Sequence, residues 1–291
     1  MKWNWEHKNW PNFRFKKEEI TQLEVEFIFN SGLTFGVYKH LDKQSQENLT
    51  IELIASEAFK TSEIEGETLN RDSLQSSIKR SFNLATDAKK IPAAEKGISD
   101  MMIDLYRNFD DKLTHTSLFR WHEMLTNGRK DLKIVKKQMS EFIAWFNDSQ
   151  KILWPLTRAS IAHLYFYSLS GNRKIARALA IKALSQSFKQ PLLTSLSTII
   201  EAGRKEYYKA LKDNNQNLEI SDWINYFAKT FLESQNHTQK LIEFLLSKTQ
   251  LYDKLYQTTN LLILSNNHVL LQTFRRKYAK TLQQRFENQG C

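Results

Sequence analysis

Eight glycines and four prolines in 291 residues are too few to supply the turns of a β-rich or loop-rich fold. A chain that so rarely needs a positive φ or a helix stop is predicted to be all-α. Its length suits one large domain, or a core with a smaller helical appendage, so at least one hydrophobic core is expected.

Apolar spacing supports the same class. Ile20, Leu23, Phe27 and Ile28 keep helical spacing within a helix expected from Lys17 to about Leu41, with Gly32 and Gly36 as breaks. Ile51, Ile54, Ala55, Ala58 and Phe59 repeat at steps of three and four, predicting a helix over roughly 46–65, with Gly66 as its left-handed cap. Further helices are expected over 70–85, 93–106, 116–125, and through Met139, Phe142, Ile143 and Phe146. A long apolar helix over 157–166 is interrupted at 168–173 and resumes over 176–187; 194–211, 221–246, 251–260 and a basic helix over 273–286 complete the pattern. Residues 1–16, with Trp3, Trp5, Trp10, Phe13 and Phe15, are too aromatic for a disordered tail and are expected to fold back onto the helices. The organisation read from this pass is an N-terminal helical region (1–92), a core (93–250) and a basic C-terminal tail (251–291).

The only cysteine is Cys291, which excludes an intrachain disulfide or a cysteine-based metal site and suits a reducing cytoplasm. No apolar signal region opens the chain and no later apolar run is long enough to cross a bilayer, so a soluble protein without a membrane partner is expected. A formal charge of +10 favours phosphate-bearing or polyanionic partners, but it is equally compatible with a solvated, lysine-rich surface.

Two segments carry candidate chemistry. Ser168-Leu169-Ser170-Gly171-Asn172-Arg173-Lys174-Ile175-Ala176-Arg177 lies between two strongly helical apolar stretches. A turn feeding a helix N-terminus is suited to anions, because first-turn N–H groups lack partners and the dipole points its positive end outward. Gly171 lets a ligand approach the backbone, and Asn172 can cap. Arg173, Lys174 and Arg177 sit where the dipole disfavours cations, so something negative should compensate them: phosphate, or surface carboxylates. The second segment is Thr61-Ser62-Glu63-Ile64-Glu65-Gly66, in which Thr61 and Glu65 share a helix face and Glu65 can reach a cation on another helix.

Taken together, these segments resemble two parts of the Fic family of protein-modifying AMP transferases. Members carry a loop of the form His-Pro-Phe-x-(Asp/Glu)-Gly-Asn-Gly-Arg-x-x-Arg between two core helices, and many carry an inhibitory helix of the form (Ser/Thr)-x-x-x-Glu-(Gly/Asn). Thr61, Glu65 and Gly66 match the inhibitory pattern, and the resemblance extends over most of residues 1–250. It implies a Fic-type helical bundle, with Gly171, Asn172, Lys174 and Arg177 as nucleotide-binding residues and Thr61, Glu65 and Gly66 as regulatory ones.

The catalytic loop departs from the pattern. The family's histidine would fall on Phe166 or, allowing a deletion, on Ser170, and neither supplies an imidazole; His163 lies upstream on an apolar face and reads as a core residue. The acidic metal ligand is missing too, Arg173 replaces a glycine, and Lys174 replaces the first arginine. Asp131-Leu132-Lys133-Ile134-Val135 is too short for the family's β-hairpin flap. In the family, ATP with Mg²⁺ lies across the loop and the histidine deprotonates a hydroxyl of a target protein. The resemblance therefore implies an impaired or inactive relative, with no catalytic residue and no metal ligand assigned and retention of ATP and Mg²⁺ open. It also implies that Glu65 contacts Arg177. The alternative is a basic helical module whose last helix engages nucleic acid or an acidic protein.

Overall fold

A computed structural model of the chain describes residues 3–84, 90–129 and 135–264. Among them are eleven α-helices, and the only β-type pairing is an isolated bridge between Arg14 and Glu219. The chain divides into two compact units, Met1–Gln239 and Lys240–Cys291. In the second, the described residues are the last part of a helix running from Ser221 to Leu264. The basic helix expected over 273–286 and all but Val135 of the short flap lie outside the described residues.

The first unit is built around a helical hairpin, α7 (Pro155–Ser170) and α8 (Arg173–Phe188). Almost every residue of both helices is buried, including Leu156, Ala159, Leu164, Phe166, Ala176, Leu179, Ala180 and Leu184. A helix that is apolar all round has to be surrounded. Its neighbours are α1 (Glu18–Lys39), α2 (Lys43–Ile64), α4 (Ala93–Arg107) and α6 (Lys136–Asp148), while α3 (Arg71–Ser81) and α5 (His115–Leu125) pack on α2, α4 and α6. Two shorter helices, α9 (Leu196–Ala202) and α10 (Arg204–Asn214), and the long α11 (Ser221–Leu264) complete the order.

Several boundaries differ from the spacing-based expectation. Gly32 and Gly36 do not break α1, which runs through both. The segment over 194–211 divides at Gly203, and 221–264 is one helix rather than two. The interruption expected at 168–173 shrinks to Gly171-Asn172, because α7 continues to Ser170 and α8 begins at Arg173.

The aromatic N-terminal segment docks on the core as expected. Arg14 N donates to Leu218 O at 2.7 Å, Ile220 N to Arg14 O at 2.9 Å, and Asn4 N to Asn215 O at 2.8 Å. Trp10 and Phe13 meet the buried Tyr165 ring edge-on, with centroids 5.0 and 5.8 Å away.

Candidate functional site at the α2–α8 junction

The turn between α7 and α8 is closed by its own side chains. Gly171 adopts φ +67°, a left-handed conformation that costs glycine nothing, and its N–H donates to Tyr167 O at 2.8 Å. Asn172 then caps α8, its Oδ1 accepting from Ile175 N at 3.0 Å. Ser170 Oγ donates to Phe166 O and accepts from Asn172 N. Phe166 is fully buried against Phe142. Of the two positions aligned with the family's base, one therefore lies in the core and the other is bonded within the turn.

Helix α2 ends at this turn. Glu65 N and Glu67 N donate to Ser62 O, and Gly66, at φ +80°, donates to Glu63 O: the paired bonds that close a helix C-terminus. Side chains from α8 and α10 serve Thr61 O and Ile64 O and add a second bond to Glu63 O. Arg177 Nη2 donates to Thr61 O at 2.9 Å, Arg204 to Glu63 O at 3.4 Å and Tyr208 Oη to Ile64 O at 2.5 Å. All four terminal carbonyls of α2 are thus paired.

The negative end of α2 meets the positive end of α8, and the charged side chains follow the same polarity. Glu65 Oε1 accepts from Arg177 Nη2 at 3.0 Å, joining residues 112 positions apart. Arg173 approaches the same carboxylate more fully, with Nε 2.9 and 3.2 Å from its two oxygens and Nη2 at 2.6 Å. Lys174 pairs with Glu67 at 2.5 Å. The negative groups facing the three cations are therefore carboxylates of the chain itself.

Arg177 is 0% exposed and four of its five N–H groups are bonded within the chain. Nε donates to Thr61 Oγ1 at 2.8 Å and Nη1 to Tyr207 Oη at 3.3 Å, beside the two Nη2 bonds already given. Tyr207 Oη also bonds His163 Nε2 at 2.9 Å. His163 lies within Tyr207, Trp223 and Phe227, and burial first, then the charges of Arg177 and Arg173, hold it neutral far below the usual imidazole range. It is a core histidine. Burial alone would raise the Glu65 carboxyl, but the hydrogen bonds from Arg173 and the charges of Arg177 and Arg173 outweigh that and hold it below the ordinary range.

The structure thus brings Thr61, Glu65, Gly66, Gly171, Asn172, Lys174 and Arg177 to one junction. Five participants were not singled out from sequence: Glu57, Glu67, Arg204, Tyr207 and Tyr208. A signal for Glu57 exists, since Glu57, Thr61 and Glu65 recur every four residues on α2. Both carboxylate oxygens of Glu57 accept from Ser197 N in the first turn of α9, at 3.1 and 2.9 Å, and Oε1 also accepts from Ser197 Oγ at 2.5 Å. Burial pushes its carboxyl up to about 7, against the bonds from Ser197 and the charge of Arg177.

Solved structures share this architecture. A Fic family protein from Desulfovibrio desulfuricans superposes with a TM-score of 0.60 at 16% identity, over 79% of this chain and 77% of that one. Fic-1 from C. elegans gives 0.54 at 17% identity, over 77% and 74%. A Fic domain containing signaling protein from Bacteroides thetaiotaomicron gives 0.53 at 14% identity, over 77% and 98%. A family model described as a domain of unknown function (DUF4172) matches residues 3–84. The helical framework that sets Glu65 against Arg173 and Arg177 is the fold of the Fic family proteins.

Proposed function

We propose that this chain is an impaired or inactive Fic-fold relative of enzymes that transfer AMP from ATP to a hydroxyl side chain of a target protein, with α2 latched across the place where a nucleotide would bind. The observation that carries the reading is the state of Arg177: fully buried, with four of its five N–H donors already taken by Thr61, Tyr207 and Glu65 and its charge met by the Glu65 carboxylate. Arg173 and Lys174 are likewise held by Glu65 and Glu67.

The residues present do not fit a magnesium nucleotide. Residues 166–177 contain no aspartate, glutamate or histidine, so the turn offers neither a carboxylate for the metal nor an imidazole for the hydroxyl proton. A two-residue connection also leaves little backbone to wrap a triphosphate. Loss of a general base costs about 10²–10⁴ in rate. Gly171, Asn172, Lys174 and Arg177 keep the positions of a phosphate cradle in this reading, while Thr61, Glu65 and Gly66 form the latch.

Labelled ATP and a cell lysate test the proposal. Transfer by the wild-type chain should stay at background and should not rise in Glu65→Gly, which opens the latch without supplying a base. Calorimetry with ATP and Mg²⁺ on the same two proteins separates binding from chemistry. Strong labelling of targets by either protein refutes the reading.

A further inference from the structure

Helix α1 carries an apolar face that the rest of the described chain leaves bare. Val25, Ile28, Phe29, Leu33 and Val37 are all exposed, Phe29 by 66%. Val25, Phe29, Leu33 and Val37 recur every four residues and form one stripe, about 18 Å long at the helical rise. The opposite face of α1 is the packed one: Ile20, Glu24, Phe27 and Ser31 are buried.

Two glycines interrupt that bare face. Gly32 and Gly36 lie inside α1, where each costs about 1 kcal/mol of helix stability relative to alanine. A Cβ built on either would meet nothing within 4 Å. No close packing within the described chain accounts for them, whereas between Phe29, Leu33 and Val37 they cut a notch in the stripe.

We propose that this face is an interface between two copies of the chain, joined through antiparallel α1 helices. A self-pairing requires a surface complementary to its own copy about a twofold axis. With the axis near residue 31, Val25 falls opposite the partner copy's position 37, and Phe29 falls beside the partner copy's positions 32, 33 and 36, where a ring fits into the glycine notch. Charge alone does not orient the pair, since exposed Lys16 and Lys17 accompany Glu18 and Glu19 at the start of α1 and Lys16 pairs with Glu19, but antiparallel pairing sets the two helix dipoles favourably. The area sets the strength. A patch of this kind is on the order of 400 Å², against about 800 Å² per partner in a standard stable complex, so the dimer is weak and reversible.

Sedimentation velocity on the full chain over roughly 1–200 μM, the range in which an interface of this size associates, should show the weight-average mass climbing from 34.3 kDa toward twice that value. Phe29→Glu should weaken association at least about tenfold with an unchanged circular dichroism spectrum. The double change Gly32→Ala and Gly36→Ala should raise helix stability yet weaken association, an opposition that a purely structural role would not produce. A mass that stays at the monomer value throughout, the result expected if residues after 264 or a different protein cover α1, overturns the proposal. So does a dimer that Phe29→Glu leaves intact.

Discussion

Glu65 faces two arginines, and counting contacts and weighing burial give opposite answers about which pair matters more. Arg173 makes three hydrogen bonds to the carboxylate and Arg177 makes one. Arg173 is about one-third exposed, however, and stacks over the Tyr208 ring at 5.0 Å, whereas Arg177 has no exposure at all. Removing Glu65 lets Arg173 turn to water but strands Arg177 with only neutral partners. Breaking a buried pair from one side costs about 3–5 kcal/mol, while exposed pairs couple by about 0.2–1 kcal/mol. Double-mutant cycles by urea unfolding, with alanine at 65 and at 173 or 177, should therefore give a coupling of about 2 kcal/mol or more for Glu65–Arg177 and about 1 kcal/mol or less for Glu65–Arg173. Equal couplings, or a larger one for Arg173, would show that local geometry rather than desolvation governs the junction. Additivity at both pairs would remove the latch altogether.

Glu57 supplies a pH test. A carboxyl raised in the folded state from 4.5 to about 7 contributes stability that is present below pH 4.5 and lost as pH rises through 7. Glu57→Gln keeps an acceptor for Ser197 N without the charge, so its stability relative to wild type should improve by about 2–3 kcal/mol between pH 4.5 and 8; parallel pH profiles in urea melts would contradict this. Asn172→Ala removes the α8 cap and should cost about 1 kcal/mol, read from the same melts; no loss would mean that the turn recloses without it. His163→Phe should remove a loss of about 2 kcal/mol that the wild type shows between pH 8 and 5, because below about 6.5 the imidazole takes up a proton only when the chain unfolds; parallel profiles would show that it also titrates in the folded state.

The all-α class and most helices were legible because they rest on period and on scarcity of breakers, both local properties. The errors share a cause. Glycine weakens a helix without stopping it, so α1 passes Gly32 and Gly36, whereas Gly203 divides a segment that reads as continuous. The α7–α8 interruption was placed correctly but drawn too long, because Ser168 and Ser170 look like loop residues. Their hydroxyls are satisfied within the folded helix instead: Ser170 bonds back to Phe166 O, and Ser168 Oγ accepts at 2.9 Å from Asn4 Nδ2 of the docked N-terminal segment. Within the junction, the Glu65–Arg177 contact was reachable only through the family resemblance. The three hydrogen bonds from Arg173 to the same carboxylate were not, since the resemblance offers a glycine at that position.

Arg177 belongs to a wider pattern in this core. Glu24, Glu57, Arg158, Arg177 and Lys182 are all buried, and each meets a helix end whose dipole has the opposite sign. Glu24 accepts from Leu156 N and Thr157 N at the start of α7, and Glu57 accepts from Ser197 N at the start of α9. Arg158 donates to Phe146 O in the last turn of α6, Lys182 to Asn108 O just past α4, and Arg177 to Thr61 O near the end of α2. A buried charge needs hydrogen bonds whether or not it does chemistry, and a helix end supplies several already aligned. A framework that holds α2 to α8 through such a contact has a structural reason to keep Arg177 and Glu65 whether or not the site performs chemistry. Their presence is therefore no measure of catalysis, and the number that separates the two roles is the Glu65–Arg177 coupling set beside the transfer rate of Glu65→Gly.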